Sequence, residues 1–253
     1  MEAINLEKSK NKVLNMDCLE FMKQVPDNYF DLVLTDPPYN VTKNKWDVFD
    51  IRQLNIFTKE INRICKGLII IFAQQPFTTD VINANRSKFK YTMVWDKVLP
   101  TGFLNANKMP LRVHEDILFF YDKLPYYNPI KSQGHERKRV KNRNSENNKN
   151  YGDFKNVGGY DSTERFPTSI LQFSNGGNRT SIVHPTQKDL ELIKHLLRMY
   201  ADDNFKIFDP FMGSGTTALA CKSLGLDFWG TELDKDYCKI IDKRLSAVQG
   251  SLF

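Results

Sequence analysis

The chain has 253 residues, 41% of them hydrophobic and 12% aromatic, which is the composition of a globular protein. This length stands at the upper limit of a single hydrophobic core, so one domain with a sizeable insertion and two domains are both open. The formal charge of +6 favours a polyanionic partner. The first residues hold no apolar segment of signal-peptide length, and the longest apolar run, residues 68–73, is too short to span a bilayer. We therefore expect a cytoplasmic protein.

The four cysteines, Cys18, Cys65, Cys221 and Cys238, are widely spaced along the chain. They form no C-x-x-C pair, and no histidine stands near them at the spacing of a metal ligand. The pattern therefore indicates neither a zinc site nor a disulfide framework. We expect reduced and mostly buried thiols.

Predicted strands and helices alternate through the first half of the chain. The strands are expected at residues 12–17, 32–34, 67–72, 91–95 and 116–121, with a loop at 100–103. The helices are expected at residues 18–25, 51–65 and 76–84. The continuous apolar run at 67–72 is typical of a strand that is buried on both faces. This alternation predicts a parallel sheet in an α/β fold.

The strand at residues 32–34 ends at the loop Asp36-Pro37-Pro38-Tyr39. Prolines cannot donate to a sheet ladder, so this loop is predicted to be rigid and exposed. It presents a carboxylate, a backbone carbonyl and an aromatic ring. Acceptors beside a ring suit a planar amine such as a nucleobase. An ordinary strand end with Tyr39 packed beneath it explains the same four residues equally well.

Residues 125–183 differ from the rest of the chain, because they contain few periodic apolar residues and many Asn and Gly residues. They also contain a cluster of bases: Lys131, Arg137, Lys138, Arg139, Lys141, Arg143, Lys149 and Lys155. Most charged runs are solvated loops, which is one interpretation. The other is an insertion that follows a phosphate backbone, with interleaved aromatic residues that stack or pack.

Regular structure resumes after residue 184. A helix with apolar residues from Leu190 to Tyr200 is predicted, with Thr186 and Asp189 as a capping box at its start. The pattern then predicts a strand at 205–209, a helix at 218–224, a strand at 226–231 and a last helix that contains residues 237–245.

A Gly-rich turn at residues 213–217 joins a predicted strand to a predicted helix, and Glu232 follows the next strand. This is the arrangement of a nucleotide-binding βαβ unit, in which glycines let a ligand approach the backbone N–H groups and the acid bonds ribose hydroxyls. The turn also fits the looser dinucleotide pattern, so an NAD-dependent oxidoreductase is one candidate. Two features argue against NAD. An acid, a proline and an aromatic residue, at positions 209–211, stand just before the glycines, and the loop at Asp36 is a second element that NAD binding does not explain.

Three motifs together carry a resemblance to a known family. They are Asp36-Pro37-Pro38-Tyr39, His184-Pro185-Thr186-Gln187-Lys188 and Asp209-Pro210-Phe211-Met212-Gly213-Ser214-Gly215-Thr216-Thr217. With these motifs the chain resembles the DNA amino-methyltransferases that use S-adenosylmethionine. Their order, catalytic loop first and cofactor loop last with a variable region between, resembles the β group of that family. The resemblance covers nearly the whole chain except roughly residues 125–160.

The resemblance implies an α/β fold of the Rossmann-like class I methyltransferase type, with a seven-stranded, mostly parallel sheet and one antiparallel strand. Residues 1–124 and 184–253 then form the catalytic and cofactor-binding domain, and residues 125–183 form an inserted target-recognition region. The implied partner is double-stranded DNA, bound through Lys131, Arg137, Lys138, Arg139, Lys141 and Arg143. A homodimer is common among relatives. The implied setting is a bacterial or phage-encoded restriction-modification enzyme.

The functional residues of the family can be placed on this sequence motif by motif. The implied catalytic residues are Asp36, Pro37, Pro38 and Tyr39. The implied cofactor-binding residues are Asp17, Cys18, Asp36, Thr186, Lys188, Asp209, Phe211, Gly213, Ser214, Gly215, Thr216 and Glu232. Within this set, Glu232 is expected at the ribose, Asp17 and Cys18 at the adenine edge, and Thr186 and Lys188 at the methionine carboxylate. The chain departs from the family at Asp189, where proline is usual. An aspartate can cap the helix from that position, so we expect the fold to be kept.

The resemblance also implies a mechanism. An exocyclic base amine is a poor nucleophile, because its lone pair is delocalised into the ring. Asp36 and the Pro37 carbonyl, both accepting from the amine hydrogens, would direct that lone pair at the cofactor methyl for a direct displacement. The amine is inaccessible in a duplex, so the base must flip, and Tyr39 is its expected stacking platform. Trp46 is either a second aromatic residue at the DNA or a half-buried packing residue.

The target base is predicted from the first residue of the catalytic loop. Family members with Asp in that position are mostly adenine-N6 enzymes, whereas Ser is typical of cytosine-N4 enzymes, so Asp36 favours adenine. A cytosine-N4 methyltransferase is the alternative within the family. Two candidates come from other classes: a catalytically silent DNA-binding protein on the same scaffold, and the nucleotide-dependent oxidoreductase.

Overall fold

A computed structural model describes residues 4–40, 49–140, 159–175 and 187–248. The strands are β1 (Lys12–Asn15), β2 (Phe30–Thr35), β3 (Cys65–Ala73), β4 (Phe89–Thr101), β5 (Arg112–Phe120), β6 (Lys138–Val140), β7 (Tyr160–Ser162), β8 (Ile170–Gln172), β9 (Lys206–Asp209) and β10 (Asp227–Glu232). The helices are α1 (Cys18–Met22), α2 (Ile51–Ile64), α3 (Phe77–Ala84), α4 (Leu190–Tyr200), α5 (Thr216–Leu224) and α6 (Lys235–Val248). A short 3-10 helix covers Phe103–Asn105.

Eight strands form the large sheet, in the order β1-β10-β9-β2-β3-β5-β4-β8. β5 runs antiparallel to both of its neighbours, β3 and β4, and the remaining pairs are parallel. The predicted α/β fold with one antiparallel strand is therefore confirmed. The sheet has eight strands rather than the predicted seven, because the three residues of β8 pair with the outer edge of β4.

Five parallel strands of this sheet end at the same edge. The parallel strands β1, β2, β3, β9 and β10 all end there, and we call it the carboxyl edge. Because β5 is antiparallel, its first residues also lie at the carboxyl edge: Asp116 pairs with Ala73, the last residue of β3. The single antiparallel strand thus adds residues from its beginning to a site that the other strands build with their ends.

Helices cover both faces of the sheet. α1, α2 and α3 pack against one another, and α4, α5 and α6 pack in sequence. Phe57 of α2 belongs to the same buried cluster as Val33 and Ile69 of the sheet. Successive strand residues point to opposite faces, so the equally buried Leu32 and Ile70 face the other helix layer. Burial on both faces confirms the prediction for the apolar run in β3.

Two local predictions are wrong. A capping box with Thr186 at its start is wrong, because α4 begins at Leu190 and Asp189 is its N-cap, accepting from the Leu192 N–H at 2.9 Å. A carboxylate suits that position, where helix N–H groups lack partners. Thr186 itself lies outside the described residues. The loop predicted at 100–103 is wrong in its first half, because β4 continues to Thr101 and pairs there with Arg112.

The chain divides into two compact units. The first, Met1–Tyr127 with Ser169–Phe253, contains the eight-stranded sheet and the six described helices. The second, Asn128–Thr168, contains the antiparallel pair of β6 and β7. The second unit lies within residues 125–183, whereas β8, which also lies within them, belongs to the first unit. The role of this region in target recognition stays a prediction.

The cysteines are free thiols. Cys18, Cys65 and Cys221 are buried and Cys238 is partly buried. Burial raises the pKa of Cys18 and of Cys65 to about 12, so these thiols stay protonated. Across the described residues, no group of side chains is arranged to hold a metal ion, and no helix is long and apolar enough to cross a membrane.

Asp209 connects β2, β9 and α5 at the carboxyl edge. It ends β9 and is only 4% exposed. Its carboxylate accepts from the Thr35 hydroxyl at the end of β2 (2.8 Å), from the Thr217 hydroxyl in α5 (2.6 Å) and from the Phe211 N–H (3.1 Å). Burial raises the pKa of Asp209 to about 6, although these three hydrogen bonds oppose the shift.

This raised pKa predicts a pH dependence of stability. An unfolded aspartate has a pKa of about 3.9, so the folded state binds more protons between that pH and about 6. Raising the pH through this window ionises a buried carboxyl and lowers the free energy of unfolding. In Asp209→Asn this contribution is lost. We expect the difference in unfolding free energy, unmodified minus variant, to fall by about 2 kcal/mol from pH 4 to pH 7 in urea titrations.

Asp80→Asn is the matched control, because Asp80 is an exposed acid on α3. The difference in unfolding free energy between the unmodified protein and Asp80→Asn should not change between pH 4 and pH 7. If the difference in unfolding free energy between the unmodified protein and Asp209→Asn stayed constant or increased as the pH is raised, Asp209 would not be a buried carboxyl that is protonated at low pH.

Candidate active site

A cavity of about 470 Å³ lies at the carboxyl edge, a volume in the range of small-molecule sites. It is lined by every described residue that the sequence predicts for the site except Gly215. These are Asp17, Cys18, Asp36, Pro37, Pro38, Tyr39, Lys188, Asp209, Phe211, Gly213, Ser214, Thr216 and Glu232. The fold therefore brings the proline loop and the Gly-rich turn, from opposite ends of the sequence, to one cavity.

The Gly-rich turn connects β9 to α5. Gly213 and Gly215 have φ angles of +54° and +85°, which residues with a side chain rarely adopt. Among the described residues, nothing lies within 4 Å of the place where a Cβ of Gly213 would stand, so the backbone there is open to the cavity. At Gly215 the same place is 2.8 Å from Ile241 of α6. Gly215 therefore permits close packing of α6 and does not line the cavity.

Two carboxylates flank the turn at the ends of neighbouring strands, β10 and β1. Glu232 ends β10, and its oxygens accept from the N–H groups of Gly213 (2.7 Å) and Asp234 (2.8 Å). Burial raises the pKa of Glu232. Asp17 follows β1 and caps α1, accepting from the Leu19 N–H at 2.8 Å. Each carboxylate is thus held by backbone groups while lining the cavity.

A group of four charged side chains, which we call the ion cluster, forms the wall around the proline loop. Lys188 Nζ lies 2.7 Å from Asp36 Oδ2 and 2.9 Å from Glu115 Oε2. Lys97 Nζ lies 3.0 Å from Glu115 Oε1. The side chains of Lys97, Lys188 and Glu115 are 7%, 9% and 12% exposed, whereas that of Asp36 is 26% exposed. Asp36 is therefore the end of the cluster that opens to the cavity.

The charges of the ion cluster shift one another's pKa values. Burial lowers the pKa of Lys188, but the Asp36 and Glu115 carboxylates outweigh burial and the net shift is upward. Burial raises the pKa of Glu115, but Lys188 and Lys97 outweigh it and the net shift is downward. The pKa of Asp36 is raised, because burial and the charge of Glu115 exceed the opposing effect of Lys188. Asp36 is therefore the better proton acceptor of the two carboxylates.

Tyr39 covers the remaining oxygen of Asp36. Its hydroxyl donates to Asp36 Oδ1 at 2.5 Å, and its ring packs nearly parallel to that of Phe77 of α3, with centroids 5.5 Å apart. Burial, followed by the charge of Asp36, raises the pKa of Tyr39 well above its usual value, so the hydroxyl stays a donor. Both oxygens of Asp36 are thus engaged, Oδ2 by Lys188 and Oδ1 by Tyr39.

Sequence motifs identify Asp36, Tyr39 and Lys188 but miss Glu115 and Lys97. The available signal for the missed pair is weak: each is a charged residue just outside a predicted strand, and neither belongs to a motif. The described polar contacts of the Lys188 ammonium group are with Asp36, Glu115 and the Tyr39 hydroxyl, 3.3 Å away. Its predicted role at a cofactor carboxylate stays a prediction. Thr186 and Trp46 lie outside the described residues.

Comparison with known proteins agrees with this geometry. Residues 30–243 match the N6/N4 DNA methylase family. The type II methyltransferase M.BglII of Bacillus subtilis is 31% identical over 93% of this chain and 69% of its own length. The structure of M1.HpyAVI in complex with S-adenosylmethionine covers 92% of this chain and 98% of its own, with a TM-score of 0.62 and 22% identity. The cytosine-N4-specific PvuII DNA methyltransferase covers 92% and 87%, with a TM-score of 0.66 and 16% identity.

The cavity residues fit S-adenosylmethionine, the methyl donor of this family. The open backbone at Gly213 leaves room for a ligand beside the turn. Glu232 has oxygen lone pairs beyond those that its two backbone donors use, which suits ribose hydroxyls. Carboxylates at Asp36, Asp17 and Glu232 suit a ligand with a cationic sulfonium. With its fold, cavity and match over residues 30–243, the chain belongs to the family of S-adenosylmethionine-dependent DNA methylases that modify adenine N6 or cytosine N4.

Proposed function

We propose that this protein is a site-specific DNA methyltransferase that transfers the methyl group of S-adenosylmethionine to N6 of a flipped adenine by direct displacement. The observation that carries the proposal is Asp36, the one partly open carboxylate of the buried ion cluster, facing the cavity that also contains the Gly-rich turn. A carboxylate held in this way suits an amine that must be oriented before it reacts.

The residues around Asp36 have separate tasks in this proposal. Asp36 Oδ1 and the Pro37 carbonyl accept from the two amine hydrogens, which localises the nitrogen lone pair. Lys188 holds Oδ2 at 2.7 Å and so fixes the orientation of the carboxylate. The Tyr39 hydroxyl now occupies Oδ1, so it gives up this contact when the amine arrives and its ring becomes available to stack on the base.

Charge balance in the ion cluster supports proton transfer to Asp36. The methylated amine must lose a proton, and the raised pKa of Asp36 makes it the acceptor. Glu115 contributes by neutralising Lys188 and Lys97, which would otherwise lower that pKa. S-adenosylmethionine supplies an electrophilic methyl group when it is bound. Gly213, Glu232 and Asp17 are the residues that would hold it.

Adenine is favoured over cytosine by the aspartate at the start of the catalytic loop. Methylation-sensitive sequencing of DNA from cells that express the protein tests this directly. The expected result is N6-methyladenine at one fixed sequence. N4-methylcytosine would overturn the choice of base. DNA binding with a steep salt dependence and no methylated base would instead identify a catalytically silent DNA-binding protein.

DNA contact is proposed for the basic cluster in residues 125–183, together with a target-recognition role. In the second unit, Arg137 and Arg139 both pair with Asp161, at 2.7 and 2.9 Å, and Lys131 pairs with Glu164 at 2.9 Å. Arg137 and Arg139 remain 62% and 70% exposed, and such surface pairs are weak. A phosphate can therefore replace Asp161. Lys138 lies on β6 between the two arginines, and Lys141 and Arg143 lie outside the described residues. A homodimer and a cytoplasmic location also remain proposals.

Asp36→Ala tests the catalytic role. Without its carboxylate the amine is not oriented, so transfer of labelled methyl to DNA should fall by at least about 100-fold. Binding of S-adenosylmethionine, measured by calorimetry, should remain. Asp80→Ala, at an exposed acid on α3, is the matched control and should keep full activity. Methyl transfer by Asp36→Ala at the unmodified rate would contradict the proposal.

Glu115→Gln tests its role as a positioning residue. The variant keeps the shape of the side chain but leaves Lys188 and Lys97 with one negative charge fewer, which lowers the pKa of Asp36. We expect kcat to fall about tenfold and the acidic limb of its pH profile to move to lower pH. KM should change little. Glu191→Gln, at a 59% exposed glutamate on α4, is the control. An unshifted pH profile would mean that Glu115 serves folding alone.

Arg137→Ala and Arg139→Ala test the basic cluster. Each should reduce the slope of log affinity against log salt by about one, as expected for a lost phosphate contact. Asp161→Asn should strengthen DNA binding, because it frees both arginines. Arg86→Ala, at an exposed arginine next to the start of β4, should leave the slope unchanged. If Arg86→Ala and Arg137→Ala reduced the salt slope equally, DNA binding would depend on the net charge of the protein and not on the basic cluster.

A further inference from the structure

The connection between β4 and β5 carries an unusual number of exposed apolar side chains. We call residues 98–113 the hairpin tip. Its exposed apolar residues are Val98, Leu99, Phe103, Leu104, Met109 and Val113. Leu104 is fully exposed and Phe103 is 67% exposed. Single exposed apolar side chains are normal, but six within one short segment form a patch that indicates an interaction.

The hairpin tip rises directly from the candidate active site. Glu115 of the ion cluster pairs with Trp95 across the β4–β5 ladder, and the next ladder pair beyond residue 114 joins Thr101 to Arg112. Arg112 also donates to Gln74 Oε1 at 2.9 Å, and Gln74 lines the cavity. At the rise of a strand, the tip starts about 7 Å beyond Glu115 along β5. The base of the hairpin tip therefore adjoins the cavity that contains Asp36.

The backbone at the base of the tip is bent away from a regular ladder. Four residues of β4, 97–100, lie opposite a single residue of β5. Among them, Val98 has a φ angle of +64°, which is a strained conformation for a β-branched residue. Bulges of this kind redirect a strand and often stand next to active sites. The tip is thus built to point in a direction that a regular hairpin would not take.

The chemistry of the tip suits nucleic acid. Residues 98–113 contain no acid, and two cations, Lys108 and Arg112, accompany the apolar side chains. Both cations are exposed. Proteins that bend or open a duplex commonly insert Phe, Leu, Met or Pro between bases while cations bind the phosphates. A second copy of the chain is a poorer occupant, because a two-fold contact would bring the same cations together.

We infer that the hairpin tip enters duplex DNA as a wedge, with Phe103 and Leu104 occupying the space left by the flipped base. The inference rests on the proposed function, since it requires that the protein act on a base within a duplex. Flipping breaks the stacking and pairing of the target base, and apolar side chains that fill the gap replace the lost stacking. The tip thereby stabilises the flipped state of the DNA, in which the amine of the target base reaches Asp36.

The test compares the double variant Phe103→Ala/Leu104→Ala with the unmodified protein on two duplexes that contain the mapped target sequence. In one the target base is paired, and in the other it lies opposite an abasic site, which removes the cost of opening the pair. We expect kcat/KM to fall about 10- to 100-fold on the paired duplex and to stay within about threefold on the abasic one. Leu124→Ala, at an exposed leucine just after β5 at the opposite end of that strand, should change neither.

Each other outcome has a definite meaning. The wedge would be refuted if the double variant lost kcat/KM equally on both duplexes, or if its kcat/KM were unchanged. A change in oligomeric state, measured by sedimentation, would also refute it and would indicate a contact between copies of the chain instead. Leu104→Trp gives a second measurement: its emission should be quenched by stacking only on a duplex with the target sequence. Absence of methyl transfer by the unmodified protein would instead refute the proposed function.

Discussion

The ammonium group of Lys188 is the contact on which the candidate active site depends. It is buried between the Asp36 and Glu115 carboxylates and lies over the faces of Phe72 and Trp95, 5.2 and 5.8 Å from their centroids. Removing one partner from a buried ion pair leaves an uncompensated charge and costs about 3–5 kcal/mol. This penalty holds the proline loop, β5 and the segment before α4 in one arrangement. The orientation of the Asp36 carboxylate follows from it.

The topology of the sheet explains why that contact forms. The parallel strands deliver Asp17, Thr35, Asp209 and Glu232 at or just beyond their ends, which is where α/β folds bind ligands. The one antiparallel strand delivers Glu115 near its beginning. The same reversal places the hairpin tip beside the cavity. One change of strand direction therefore supplies both a charge partner for the proline loop and the segment that we assign to the DNA.

Asp36 and Asp209 are two buried carboxylates at the carboxyl edge with different surroundings. Asp209 is closed off by three donors and holds β2, β9 and α5 together. Asp36 has two partners and remains partly open to the cavity. Both have raised pKa values, with burial as the largest cause. Only Asp36 combines that shift with a partly open side chain, which distinguishes the carboxylate that we propose to react from the structural one.

Prediction from sequence succeeds here where the signal is local. The proline loop, the Gly-rich turn and the acid after β10 are contiguous or closely spaced, and their backbone chemistry identifies them. The start of α4 is mispredicted because Thr186 and Asp189 both suit an N-cap, and only the path of the chain decides between them. Glu115 and Lys97 could not be found, because their proximity to Lys188 depends on the register between β4 and β5. The hydrogen bond from Tyr39 to Asp36 is likewise a property of the folded loop.

A crystal structure with a non-reactive analogue of S-adenosylmethionine and a duplex containing the target sequence tests the proposed role of Asp36 in holding the target amine. We predict a flipped adenine with its amine nitrogen about 3 Å from Asp36 Oδ1. In that structure Lys188 stays on Oδ2, and the Tyr39 hydroxyl has moved off Oδ1. A target base bound elsewhere, with Tyr39 still donating to Asp36, would contradict this role of Asp36. So would a Lys188 side chain that has left Asp36 for the carboxylate of the analogue.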